Sequence, residues 1–231
     1  MSKVAVIAGV GPGISAASAR RFAKAGYKVA LLARRRDTLD PLAAEMGGHA
    51  YICDVTSPES VAQTFAAIRA DLGEVDVLVY NAGGGVFADV EHITPAEFED
   101  SWRVNAYGAL LCAQAVIPAM KAAASGSIVF IGATASRRGG PRSAAFAPAK
   151  AAQRALAESM ARSLWPAGIH VALIVVDGVV DLARTRARMP DKPDGFFIQP
   201  DGVAETAYQL AQQDRSAWSF EVEARPFGEA W

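Results

Sequence analysis

Short, continuous apolar runs alternate along the chain with longer amphipathic segments. Residues 3–8 and 27–33 are runs of the first kind. A run without polar alternation leaves no face for water, so each reads as a strand covered on both sides. Between them the pattern predicts a helix from about 14 to 25, with Phe22 and Ala23 on its inner side and Gly26 closing it. A helix over 37–46 and a strand over 49–53 follow. Ser57, with Pro58 at the first helical position, opens a helix to about 72. Residues 76–80 form the next strand. Thr94 with Glu97 three residues on makes a capping-box pattern for a helix that breaks near 105–108 and runs on to about 123. The strand over 127–131 is bounded by Gly126 and Gly132, and a glycine-rich loop leads to an Ala-rich helix from about 143 that carries Lys150. A strand over 169–176 is followed by a polar, Pro-rich stretch at 181–197, a helix over 200–212 and a seventh strand at 216–222. Strand and helix alternate strictly, with no repeat and no linker. That order predicts an α/β fold with a doubly wound parallel sheet of about seven strands, helices on both faces, and one domain over residues 1–231.

Composition narrows the classes of function. The chain of 231 residues is 52% hydrophobic with a formal net charge of −1, so neither nucleic acid nor an anionic membrane has a bulk electrostatic claim on it. No apolar run reaches the length of a membrane span and no signal peptide is visible, which predicts a soluble, cytoplasmic protein. Cys53 and Cys112 fall in predicted core elements without a metal-binding spacing and read as packing residues. No metal site is expected. His92 and His170 are isolated and read as surface or core residues.

Candidate chemistry starts at the first strand end. Gly9-Val10-Gly11-Pro12-Gly13-Ile14-Ser15 lies between a strand and a helix, and a second strand follows. That is the context a dinucleotide fingerprint requires, and it makes the fold Rossmann-type. Glycines let backbone N–H groups approach a pyrophosphate, and the helix N-terminus adds its positive end. The second strand runs into Arg34, Arg35 and Arg36, and the first acid is Asp37. A guanidinium fork suits a 2′-phosphate better than a hydroxyl, so Arg34 and Arg35 favour NADP(H) over NAD(H). The plainer alternative is a solvated helix start, although cations there oppose the helix dipole.

Taken together, these motifs resemble the short-chain dehydrogenase/reductase family over nearly the whole chain, up to about residue 180. Residues 8–15 are similar to the family's glycine turn, Asp54 to its adenine-contacting aspartate, and Asn81-Ala82-Gly83 to the close of its fourth strand. Asn105 matches the helix-breaking asparagine of its catalytic tetrad, and Phe146-Ala147-Pro148-Ala149-Lys150 occupies its Tyr-x-x-x-Lys position. The resemblance implies cofactor contacts from Gly9, Gly11, Gly13, Ile14, Asp54, Val55, Asn81, Ala82, Gly83, Gly178 and Lys150, the lysine on the nicotinamide ribose. It also implies a cover over the substrate at about 181–200, and a homodimer or homotetramer paired through the two long helices from about Pro95 and Ser143. Trp231 at the tail would be buried, in many relatives against a neighbouring subunit.

The departures concern the chemistry. The family's tyrosine acid/base is replaced by Phe146, and the serine thirteen residues before it by Ala133, so Asn105 and Lys150 alone remain of the tetrad. A phenyl ring has no proton to give and a methyl group cannot hydrogen-bond. Ser15 stands for the third glycine, Pro12 removes one N–H from the turn, and Asp177-Gly178 replaces Pro-Gly. General acid–base catalysis contributes on the order of 10²–10⁴ in rate, so its loss need not end reduction of an electron-poor carbonyl or an imine. A water on Asn105 and Lys150 could supply the proton. Thr134 or Ser136 could replace the lost hydroxyl, or each could bond its own loop. Tyr107, two residues from Asn105, would face away. The leading expectation is an NADP(H)-dependent oxidoreductase acting on a small carbonyl, imine or related substrate. The rival is a catalytically silent module that senses NADP(H) or serves an oligomer.

Overall fold

The computed structural model describes residues 2–228. Trp231, expected to be buried, lies outside the described residues. The elements run β1 (Val4–Ala8), α1 (Ile14–Lys24), β2 (Lys28–Ala33), α2 (Arg36–Met46), β3 (His49–Ile52), α3 (Pro58–Leu72) and β4 (Val77–Tyr80). Then follow α4 (Pro95–Trp102), α5 (Gly108–Ala122), β5 (Gly126–Ile131), α6 (Phe146–Leu164) and β6 (Ile169–Val176). The chain continues through β7 (Val179–Val180), α7 (Ala183–Arg188), β8 (Phe197–Ile198), α8 (Pro200–Gln212) and β9 (Glu221–Ala224).

Seven strands pair in parallel in the order β3-β2-β1-β4-β5-β6-β9, so the doubly wound sheet expected from the sequence is present. The order reverses between β1 and β4, the place where such sheets open a crevice at their carboxyl ends. The side chains alternate between two cores. Val4, Val6 and Ala8 face α3, α5 and α6, where Phe65, Ile68, Cys112, Val116 and Met160 pack. Ala5 and Ile7 face α1, α2 and α8, where Phe22, Leu39, Leu42 and Leu210 pack. Both faces of the sheet are therefore covered, as the unbroken apolar runs require.

Local signals hold at several helix starts. The Ser57 side chain accepts from the Ser60 N–H, and Thr94 and Glu97 form a complete capping box. The expected break near Asn105 is a single π turn over Arg103–Tyr107, between α4 and α5.

Two boundaries differ from expectation. The Lys150 helix begins at Phe146 rather than near Ser143, because the Ser143 hydroxyl bonds both N–H and C=O of Gly140 and the Ala144 N–H goes to the Ala88 carbonyl. Pro148 is tolerated because first-turn N–H groups have no helical acceptor. The polar, Pro-rich stretch at 181–197 holds α7, and β8 pairs with β7. Arg186 clamps it by bonding Asp181 and Asp194. The last strand is shifted to Glu221–Ala224, after a short 3₁₀ turn over Arg215–Ala217. No helix among the described residues is long and apolar enough to cross a membrane.

Candidate active site at the carboxyl ends of the strands

The turn after β1 is built for close approach. Gly9 has φ +85°, and a Cβ there would lie 2.2 Å from the Ala82 Cα, so only glycine lets the turns after β1 and β4 meet. Gly11 faces open space, and Gly13, at φ +101°, begins α1 without a side-chain cap. The N–H groups of the first turn of α1 are thus left to solvent or to an anion. Ser15, in the third-glycine position, has a structural role: its hydroxyl donates to the Gly9 carbonyl at 2.7 Å and accepts from Asn81 Nδ2 at 2.6 Å. It ties the two turns together. Leu182, which the sequence reading did not single out, packs over this turn, its Cδ2 lying 2.7 Å from where a Cβ on Gly13 would be.

Arg34 and Arg35 lie exposed beyond β2, at the start of α2. Arg35 leans on Asp37 at 3.4 Å, while Arg34 has no hydrogen-bond or ion-pair partner among the described residues. The exposed Asp54 carboxylate follows β3. Its Oδ1 accepts from the N–H and hydroxyl of Thr56, which, helped by the charge of Arg34, holds its pKa below the usual carboxylate value. Val55 beside it is buried.

At the end of β4, three polar groups converge. The Asn105 amide nitrogen donates to the carbonyls of Gly84 at 2.7 Å and Ser101 at 2.8 Å, leaving its buried Oδ1 without a partner. Lys150 is 6% exposed; its Nζ donates to the Ile131 carbonyl at 2.9 Å and to Gln153 Oε1 at 3.0 Å, leaving one N–H of three. Burial pulls its pKa down to about 8, although both acceptors favour the charged form. A Cβ on Gly83 would lie 2.9 Å from Asn105 Oδ1 and 3.5 Å from Lys150 Nζ, so both atoms border the same backbone and a side chain there would crowd them. Gln153, missed in the sequence, joins the two, because its Nε2 donates to the Asn105 carbonyl at 3.0 Å. Its position one turn after Lys150 on the same helix face was the available signal.

Beside this group lies a cavity of about 360 Å³, lined by Phe87, Ala133, Phe146 and Gly178 among others. The Phe87 and Phe146 rings meet at 5.2 Å, and the Phe146 ring centroid is 5.9 Å from Lys150 Nζ. Ser136 bonds its own loop at the Ala133 carbonyl, whereas the Thr134 hydroxyl bonds the Asp177 carboxylate, which Arg225 also holds. Tyr107 faces away, stacked on Trp102 at 5.8 Å. His92 pairs with Asp89 on the surface, and buried His170 stacks on Trp218, so neither approaches the cavity. Both cysteines are buried and free, and burial raises their thiol pKa values.

Comparison with known proteins shows the family. The chain matches the short chain dehydrogenase family over residues 3–192. It is 31% identical over 212 residues to the 3-oxoacyl-[acyl-carrier-protein] reductase FabG of Escherichia coli, covering 90% of this chain and 86% of that one. A short-chain dehydrogenase structure from Rhodopseudomonas palustris superposes with a TM-score of 0.83 at 35% identity, over 98% and 99% of the two chains. A metagenomic short-chain oxidoreductase in complex with NADP gives 0.84 at 30% identity, over 98% of each chain. The chain belongs to the short-chain dehydrogenase family of NAD(P)-dependent oxidoreductases.

Proposed function

We propose that the protein is an NADP(H)-dependent oxidoreductase that acts on a small carbonyl or imine with an altered catalytic tetrad. The observation that carries this reading is the approach of Asn105 Oδ1 and Lys150 Nζ to the same glycine, Gly83, beside the cavity of Phe146 and Ala133. A buried acceptor without a partner and a lysine with one N–H left suit a ligand hydroxyl or a water.

In this reading residues 1–231 work as one nucleotide-binding domain, with about 181–200 as its cover. The positive-φ glycines and uncapped start of α1 fit a pyrophosphate at Gly9, Gly11, Gly13 and Ile14. Arg34 and Arg35 take the 2′-phosphate, and Asp54 and Val55 the adenine side. Asn81, Ala82, Gly83 and Gly178 line the path to the nicotinamide, whose ribose Lys150 binds. The nicotinamide, when bound, supplies the hydride.

Phe146 and Ala133 stand where the family has its tyrosine and serine, so neither moves a proton here. Phe146 and Phe87 instead exclude water from one wall of the cavity. A water held by Asn105 Oδ1 and the remaining Lys150 N–H donates the proton to the substrate oxygen or nitrogen. A lysine with its pKa near 8 recharges that water close to neutral pH. Exposed Phe98 and Trp102 on α4 favour pairing of subunits through this helix.

One observation favours the silent-sensor alternative: the Thr134, Ser136 and Ser143 hydroxyls near the cavity are all engaged within the protein. Titration of the four tryptophans' fluorescence with NADPH and NADH, followed by turnover on carbonyls and imines, decides between them. Tight NADPH binding with Lys150-dependent turnover supports the enzyme. Binding without turnover supports the sensor, and no binding removes both.

A further inference from the structure

We propose that Arg138 selects substrates that carry an anionic oxygen group, a carboxylate, on an apolar or aromatic body. This rests on the oxidoreductase reading above and names the substrate class of the same site.

Arg138 is the only charged side chain among the described residues that line the cavity. The other polar side chains of the lining are already engaged. The Thr134 hydroxyl donates to Asp177, and the Ser143 hydroxyl bonds Gly140 at 2.7 and 3.0 Å. The Arg138 side chain, by contrast, is 72% exposed, and its ion contact is loose, 3.8 Å to Asp177 Oδ1. That same Oδ1 accepts from Thr134, and Oδ2 is held by Arg225. A ligand carboxylate meeting the fork at ordinary hydrogen-bond distance gives up little by displacing so long a contact. The fork's origin is held in place, because the Arg138 N–H donates to the Thr134 carbonyl at 3.2 Å.

The rest of the wall suits an apolar body. The Phe87 and Phe146 rings meet at 5.2 Å, tilted by 47°, Ala133, Ala135 and Val176 add apolar surface, and the volume of about 360 Å³ accepts a single-ring compound. Arg142 donates to the Phe87 carbonyl at 3.2 Å, which pins the loop bearing that ring. The cavity thus has an apolar floor and a single cationic fork.

The test titrates the NADP⁺-loaded protein with benzoate, with its neutral isostere benzamide, and with phenyl phosphate. Benzoate is expected to bind about tenfold or more tightly than benzamide, a difference lost in Arg138→Gln while NADPH affinity stays unchanged. Equal binding of benzoate and benzamide, or a preference that survives Arg138→Gln, overturns the proposal. A preference for phenyl phosphate over benzoate overturns the carboxylate assignment in favour of a phosphate. Failure of NADP⁺ itself to bind removes the oxidoreductase reading and this one together, whereas NADP⁺ binding without anion selectivity removes this one alone.

Discussion

Gln153 connects Lys150 and Asn105: it accepts from Lys150 Nζ at 3.0 Å and donates to the Asn105 carbonyl at 3.0 Å. The amide is fully buried and has one bond in each direction, so its orientation is specified. It locks the lysine of α6 to the π turn that presents Asn105.

Gln153 therefore acts as a positioning residue. Replacing it with Leu removes an acceptor that favours charged Lys150, which should lower the lysine pKa; replacing it with Glu should raise it. The alkaline limb of a pH–rate profile, or NMR titration of the lysine amine, is expected to move in opposite directions in the two variants. A purely structural role would change stability and leave that limb in place.

Lys150 also predicts a pH dependence of stability. Its folded pKa of about 8 lies below the ordinary 10.5, so between these values the unfolded chain binds more protons than the folded one. The lysine's contribution to stability should rise with pH across that window, by on the order of 3 kcal/mol in total. Denaturant unfolding of wild type and Lys150→Met at pH 7 and pH 10 checks this. Wild type should gain relative to the variant at the higher pH, and a constant difference would refute it.

On the proposed reading of Phe146 and Ala133, the cavity wall can be given the hydroxyls that the resemblance implies. Phe146→Tyr with Ala133→Ser should raise reduction of ordinary carbonyls, by up to about 10²–10⁴-fold if the new hydroxyls reach the substrate oxygen. Steady-state NADPH oxidation measures it. No gain, with NADPH still bound, would mean that the Thr134–Asp177 contact and Phe87 have reshaped the pocket.

Arg34 and Arg35 are exposed and bear little of the fold. Changing both to Ala should weaken NADPH binding by about tenfold or more while leaving NADH affinity and thermal stability nearly unchanged. Loss of affinity for both nucleotides alike would assign the arginines some other role.

What the sequence determined by itself was local or periodic. Unbroken apolar runs specify strands covered on both faces, and the Ser57 cap and Thr94–Glu97 box act within three residues, so all were legible without coordinates. The glycine turn was legible because positive φ and close approach restrict the residue type, as at Gly9 against Ala82. The strand ends carrying Asp54, Asn81 and Gly178 followed from the alternating order. Helix starts that depend on loop contacts were not: Ser143 turns its hydroxyl to Gly140, and α6 begins three residues later. Contacts between distant segments were decided by the tertiary structure alone. Gln153 meets Asn105 across 48 positions, Asp177 meets Arg225 across another 48, and Leu182 settles on the turn at Gly13. No periodicity in the chain encodes such meetings. They arise where the carboxyl ends of parallel strands gather loops that are far apart in sequence, and there the chemistry of this site is assembled.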